Sequence, residues 1–136
     1  MNSLRLVSND GSTLVIEADP SLYPFDWLLS LTAPSLSART GVDPDAVRFA
    51  GDGIQHFFAA LVAEWRGWPQ EKIWASLDGA LRLAATHDGL GHVAVRVTLR
   101  NFKPDGSDGW SAEATLQFDA GGLDELARAV TGFASS

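Results

Sequence analysis

Leu81-Arg82-Leu83-Ala84-Ala85-Thr86-His87, Asp88-Gly89-Leu90-Gly91 and His92-Val93-Ala94-Val95-Arg96-Val97-Thr98-Leu99-Arg100 are the consecutive segments that decide the fold of this chain. In the first, Leu81, Leu83 and Ala85 alternate with Arg82, Ala84 and Thr86. In the third, Val93, Val95, Val97 and Leu99 alternate with Ala94, Arg96, Thr98 and Arg100. Further on, Trp110, Ala112, Ala114, Leu116 and Phe118 alternate with Ser111, Glu113, Thr115 and Gln117. Side chains change face at every residue of a strand, so these runs predict an antiparallel sheet with one apolar and one polar face.

The pattern also constrains register. Apolar positions are odd-numbered on both sides of the Asp88–Gly91 turn. Residues that pair must share a face, so their numbers must sum to an even value. Pairing His87 with His92 breaks that rule; a loop of about three residues or a bulge obeys it. On the following hairpin the parity flips, and Arg96 can lie opposite Glu113.

Working outward, Leu4, Leu6, Leu14 and Ile16 flank Asn9-Asp10-Gly11-Ser12. Asn, Asp and Gly tolerate positive φ, which predicts a hairpin of 3–8 with 12–18. Asp19-Pro20 and Tyr23-Pro24-Phe25 read as extended breaks. Trp27, Leu29 and Leu31 alternate with Asp26, Ser30 and Thr32, predicting a strand that Leu28 leaves apolar on both sides. Pro34 marks an edge, bulge or stop, after which 35–40 resumes as a strand. In 41–51, Asp43-Pro44-Asp45 is followed by Val47 and Phe49, which suggests one short strand.

Ile54, Phe57, Phe58, Leu61, Val62 and Trp65 form a single stripe at helical period. Asp52 and Gln55 have the spacing of a capping box, and Gly67-Trp68-Pro69 supplies a stop. Residues 72–78 read as a strand, with Ile73, Ala75 and Leu77 opposite Trp74, and Gly79 as a turn. A last helix carries Leu123, Leu126, Ala127 and Val130 on one face, with Asp124 and Glu125 in its first turn. The expected class is α+β: a mostly antiparallel sheet of about six to eight strands, with two amphipathic helices (about 52–66 and 122–132) packed on one face. Both halves end in a helix, but their residues show no alignable repeat.

Composition sets further bounds. At 136 residues the chain reads as a single domain, 1–136. Its net charge of -7, with lysine only at Lys72 and Lys103, disfavours nucleic acid and anionic membranes and leaves a basic protein partner open. The chain has no cysteine, which excludes disulfides and thiolate chemistry. No apolar run approaches the ~18 residues of a membrane span. Met1-Asn2-Ser3-Leu4-Arg5 lacks the basic-then-apolar order of a secretory signal, so the expected location is the cytoplasm.

Four groups of residues carry candidate chemistry. His87, Asp88 and His92 have the donors for a metal or an acid-base pair, while turn chemistry alone accounts for Asp88-Gly89. His56 borders the helical stripe and reads as a boundary residue. Among the five tryptophans, Trp65 and Trp110 fit the expected apolar faces. Trp68 and Trp74 do not, and are candidates for a ligand pocket or an interface. Arg82, Arg96 and Arg100 sit among hydroxyls on the expected polar sheet face, a solvated surface or a receiver of anionic groups. There is no phosphate loop, nucleophile elbow or zinc-protease helix. No catalytic residue, metal ligand or cofactor is therefore assigned.

Through Glu64-Trp65-Arg66-Gly67-Trp68, Lys72-Ile73-Trp74-Ala75-Ser76-Leu77, His87-Asp88-Gly89-Leu90-Gly91-His92-Val93 and Trp110-Ser111-Ala112, the chain resembles a family of small bacterial proteins of unknown function. The likeness covers roughly the C-terminal two-thirds. It implies a bacterial cytoplasmic domain and brings no activity or catalytic residues with it. Some small acidic bacterial proteins neutralise toxins, which is an analogy of type only.

Two readings follow. The first is a non-enzymatic interaction module that binds another protein at some of Trp68, Trp74, Arg82, Arg96, His87, Asp88 and His92. The second is a small-molecule-binding protein or enzyme with a pocket between sheet and helices. An exposed sheet edge would also permit a homodimer by strand pairing.

Overall fold

Alternation along the chain produces eight strands among the described residues, and the turns between them dictate how they pair. The computed structural model describes residues 2–18, 21 and 27–135. The Asp19-Pro20 and Tyr23-Pro24-Phe25 breaks, and Asp26, lie outside the described residues. Strands β1 (Asn2–Val7), β2 (Thr13–Ala18), β3 (Trp27–Ala33) and β4 (Leu36–Val42) form one four-stranded antiparallel sheet in sequence order. Strands β5 (Lys72–Ala75), β6 (Leu81–His87), β7 (His92–Phe102) and β8 (Asp108–Asp119) form a second, again in sequence order. The α+β class and the strand count agree with the alternation; the strands divide into two sheets, which alternation alone does not reveal.

Among the described residues there are three α-helices, α1 (Pro44–Arg48), α2 (Ile54–Ala63) and α3 (Leu123–Ala134), and two short 3-10 turns, Ala50–Asp52 and Ala120–Gly122. Each half is thus a four-stranded meander followed by helix, although the residues show no repeat. Leu6, Leu14, Ile16, Leu29 and Leu31 of the first sheet are fully buried, as are Leu83, Val95, Val97 and Leu116 of the second. They join Phe58 and Leu61 of α2 and Val130 and Phe133 of α3 in one hydrophobic core. Each such side chain contributes roughly 1.5–3 kcal/mol of burial before entropy is subtracted. The Asn9 N–H donates to the Gln117 carbonyl (2.9 Å), and Asn101 Nδ2 donates to Thr40 Oγ1 (3.1 Å), joining the two sheets.

Register follows the parity rule on the deciding hairpin. Thr86 pairs with Ala94 and His87 with Val93, and the Asp88 N–H donates to the His92 carbonyl, leaving Gly89-Leu90-Gly91 as the loop. On the β7–β8 hairpin Arg96 pairs with Thr115 and Thr98 with Glu113, so Arg96 reaches Glu113 diagonally, at 3.8 Å. At β3–β4 the turn is Pro34-Ser35, with Ser35 at φ +61°.

Four local expectations are corrected. The short strand around Val47 and Phe49 is a helix: Asp43 caps it by accepting the Asp45 N–H, and Pro44 opens it. The stripe helix starts at Ile54 without a capping box, because Gly51, Asp52 and Gly53 all take positive φ (+54°, +71° and +93°). That reversal removes Asp52 from the cap position, and Gln55 Oε1 is left buried without a partner. The same helix ends at Ala63, before Gly67, so Trp65 leaves the stripe and is 50% exposed. Trp110, near the irregularity at Asn101/Phe102, is also exposed, at 40%.

Candidate functional site

The β6–β7 turn is built around one carboxylate. Asp88 Oδ1 accepts the Leu90 N–H (2.7 Å) and the His92 N–H (3.1 Å), while His92 Nδ1 lies 2.7 Å from Asp88 Oδ2. The Leu90 amide above all, with the His92 amide and ring, holds the Asp88 carboxyl down to about 2. His87 faces the other way. Its Nδ1 accepts the Gly89 N–H (2.8 Å) and its Nε2 lies 2.8 Å from the Trp65 carbonyl, which accepts its proton. Trp68 stands edge-on to the same ring. The two histidines therefore do different jobs: His92 closes the turn, and His87 ties the turn to the end of α2. Among the described residues, no group of three or more His, Asp or Glu side chains is placed to hold a metal ion.

Trp68 and Trp74, which the pattern leaves unplaced, are core residues, each 7% exposed. Trp68 Nε1 donates to the Ala85 carbonyl (3.1 Å) and Trp74 Nε1 to the Ala50 carbonyl (2.8 Å). Each indole thus pins a connection onto the second sheet and satisfies its own N–H. Trp74 does lie opposite Ile73 and Leu77, as the spacing predicts, but its face is the inner one. Ile73 and Leu77 are 54% and 70% exposed.

The arginines of the outer sheet face are mostly committed. Arg96 lies between Glu71 (3.0 Å) and Glu113 (3.8 Å), and Arg100 Nη2 bonds Asp108 (2.8 Å). Arg82, half-buried beside Ala75 and Thr98, makes no ion pair among the described residues. Neither these three nor the hairpin tip lines the depressions beside α2. His56 is exposed on α2.

The concave surface lies elsewhere. Between α2 and α3, Val62, Trp65, Leu123 and Asp124 line a cavity of about 370 Å³. It adjoins one of about 470 Å³ lined by Ala59, Val62, Ala127, Arg128 and Thr131. Asp124 and Arg128 at its rim pair with each other (2.8 Å). A third depression, of about 360 Å³, separates α2 from β5 and is lined by His56, Phe57 and Ala60 against Lys72, Ile73 and Trp74. Around that strand, Phe49 is 67% exposed, close to Ile73 and Leu77 in exposure. Sequence reasoning missed this surface. The alternation in 72–78 was the available signal, but it cannot say which of two apolar faces is inside.

The chain belongs to a family of unknown function (DUF6228), whose model matches residues 12–136. No curated protein and no solved structure matches it. None of the helices among the described residues is long and apolar enough to cross a membrane.

Proposed function

We propose that this protein is a non-enzymatic module that binds another protein, in the cytoplasm. One observation carries the reading: Phe49, Trp65, Ile73 and Leu77, all large and at least half exposed, occur within one stretch of chain. Contiguous exposed apolar surface marks protein-protein, membrane or ligand-binding sites. The polar groups that resemble catalytic or ligand sets are already engaged locally, His87 with backbone and Asp88 with its own turn. The net charge of -7 supports a basic partner. Neutralising a toxic protein, in the manner of an immunity partner, is one form of this function.

The test is affinity capture by the full chain followed by reconstitution from two purified components. Phe49→Ser with Leu77→Ser should leave the melting temperature near that of the parent and weaken the reconstituted complex at least tenfold. A complex that ignores both substitutions, or the lack of any complex that survives reconstitution, removes this reading.

A second reading has its own observation. The depression between α2 and β5, at about 360 Å³, is large enough for a small ligand and carries His56 and Lys72. A ligand screen read by chemical-shift changes at His56 and Ile73, with no protein complex found, would favour it.

A further inference from the structure

The outer edge of β5 is an open strand edge, and register identifies its free groups. The Ser76 N–H donates to the Leu81 carbonyl (2.8 Å), which makes Ser76 and Leu81 a hydrogen-bonded pair. Antiparallel ladders alternate, so Trp74 with Leu83 and Lys72 with Ala85 are also bonded pairs. The intervening Ile73 and Ala75 then direct their N–H and C=O groups away from β6. Just beyond, the Leu77 N–H is taken by the Ala46 carbonyl (2.9 Å), so the edge is closed at that end by α1. Among the described residues, no partner meets the outward backbone groups of Ile73 and Ala75.

Three features adjoin this edge. The depression between β5 and α2 lies alongside Ile73. Phe49, Ile73 and Leu77 supply exposed apolar surface. The uncompensated charge is acidic. Lys72 pairs with Glu64, and Glu71 with Arg96. Asp43, Asp45, Asp52 and Asp78 are exposed and make no ion pair among the described residues. The Asp43 N–H donates to Asp78 (3.3 Å), and the Ala50–Asp52 turn receives Trp74, which places these carboxylates beside the strand. Arg48, between Asp45 and Asp52 in sequence, lies over the Trp27 ring (4.9 Å) and donates to the Ala134 carbonyl (3.3 Å), and Arg82 sits one strand further in.

We propose that an extended segment of a protein partner, alternating basic and apolar residues, adds to the outer edge of β5 as a fifth strand of the second sheet. This inference rests on the protein-binding function proposed above and specifies its surface. Backbone hydrogen bonds to Ile73 and Ala75 supply the pairing, and the depression against α2 receives alternate side chains. A second copy of this chain is a poorer occupant, because two bodies of charge -7 repel. The other outer edge of the second sheet, β8, is polar along Ser111, Glu113, Thr115 and Gln117, and the Gln117 N–H and C=O already meet Ser8 and Asn9.

The experiment selects a phage-displayed library of random twelve-residue peptides against the full chain and synthesises the recovered sequences. Expected sequences alternate Lys or Arg with Val, Ile, Leu or Phe. They slow amide exchange at Ile73 and Ala75 at least tenfold, and their binding weakens as salt rises. Ile73→Pro removes an outward N–H and the Ile73 side chain but no ladder bond to β6, so it should lower affinity at least tenfold with the fold intact. Should that variant unfold, exchange protection in the unaltered chain decides the matter. Peptides without a basic bias, or protection confined to the α2–α3 groove or β8, overturn the inference and leave the protein-binding function standing. A dimer of the chain alone that Ile73→Pro dissolves overturns it in favour of a second copy. No recovered peptide, alongside a reconstituted natural complex, overturns strand addition alone; no peptide and no complex overturns the function too.

Discussion

His87 and Trp65 are joined across the molecule: His87 Nε2 lies 2.8 Å from the Trp65 carbonyl oxygen, 22 residues away in sequence. The bond binds the tip of the β6–β7 hairpin to the chain leaving α2. It also fixes the ring's tautomer, since the Gly89 N–H donates to Nδ1.

Removing the ring should therefore loosen two elements at once. His87→Ala is expected to destabilise by about 1–2 kcal/mol, through two lost hydrogen bonds and the contact with Trp68. Urea denaturation measures the loss, and amide exchange should rise at both Gly89 and the end of α2. Because both ring nitrogens are occupied, added Zn²⁺ should not raise the melting temperature. A zinc-dependent rise would restore the metal reading of His87, Asp88 and His92.

The tryptophans separate core from surface. Trp74→Phe gives up the N–H bond to Ala50 and part of a buried ring, and should cost about 1–3 kcal/mol. Trp65→Ala, at a half-exposed site, should cost about 1 kcal/mol or less. Equal losses in urea titrations of the two variants would contradict the assignment of Trp74 to the inside.

Acid should reach the hairpin tip late. Asp88 has its pKa lowered from 3.8 to about 2, chiefly by the Leu90 amide. A depressed carboxyl contributes stability that is fully present above its unfolded value and is lost as pH falls through the folded one. The turn amides of Leu90 and His92 should keep their chemical shifts down to about pH 3 and move together in a transition centred near pH 2. Asp88→Asn should flatten that transition. A transition centred near the ordinary carboxyl value of 3.8 or above would contradict the turn geometry.

How much of this was legible in the sequence depends on what each pattern can encode. Parity in 81–99 excluded the His87–His92 pairing and left a three-residue loop or a bulge, because a one-residue slip would turn Val93, Val95 and Val97 into water; the structure has the three-residue loop. The stripe from Ile54 to Leu61 gave α2, because its period is unambiguous. The division into two sheets was not legible, since alternation describes a strand and says nothing about its non-local neighbours. Helix α1 is a single turn, too short for a period to show, though Asp43-Pro44 at its start was a signal. The surface around β5 was hidden because Ile73, Ala75 and Leu77 look like a core face until Trp74 is seen to take that role.

Glycines give the sharpest contrast, because space and φ can be set against each other. At Gly53, φ is +93° and an added Cβ would stand 2.3 Å from the Arg48 carbonyl oxygen. Backbone cannot retreat as a side-chain tip can, and α2 begins at the next residue. Gly53→Ala should therefore cost more than about 2 kcal/mol, from combined strain and displacement of α1 from α2. Gly132 lies inside α3, and an added Cβ there meets nothing within 4 Å. Alanine at that position restricts the unfolded chain and suits the helix, so Gly132→Ala should stabilise by about 0.5–1 kcal/mol. Thermal and urea unfolding of the two variants give opposite signs if the α1–α2 reversal and α3 are as described. A neutral Gly53→Ala would mean that the chain does not pass from Arg48 to Ile54 through that tight turn.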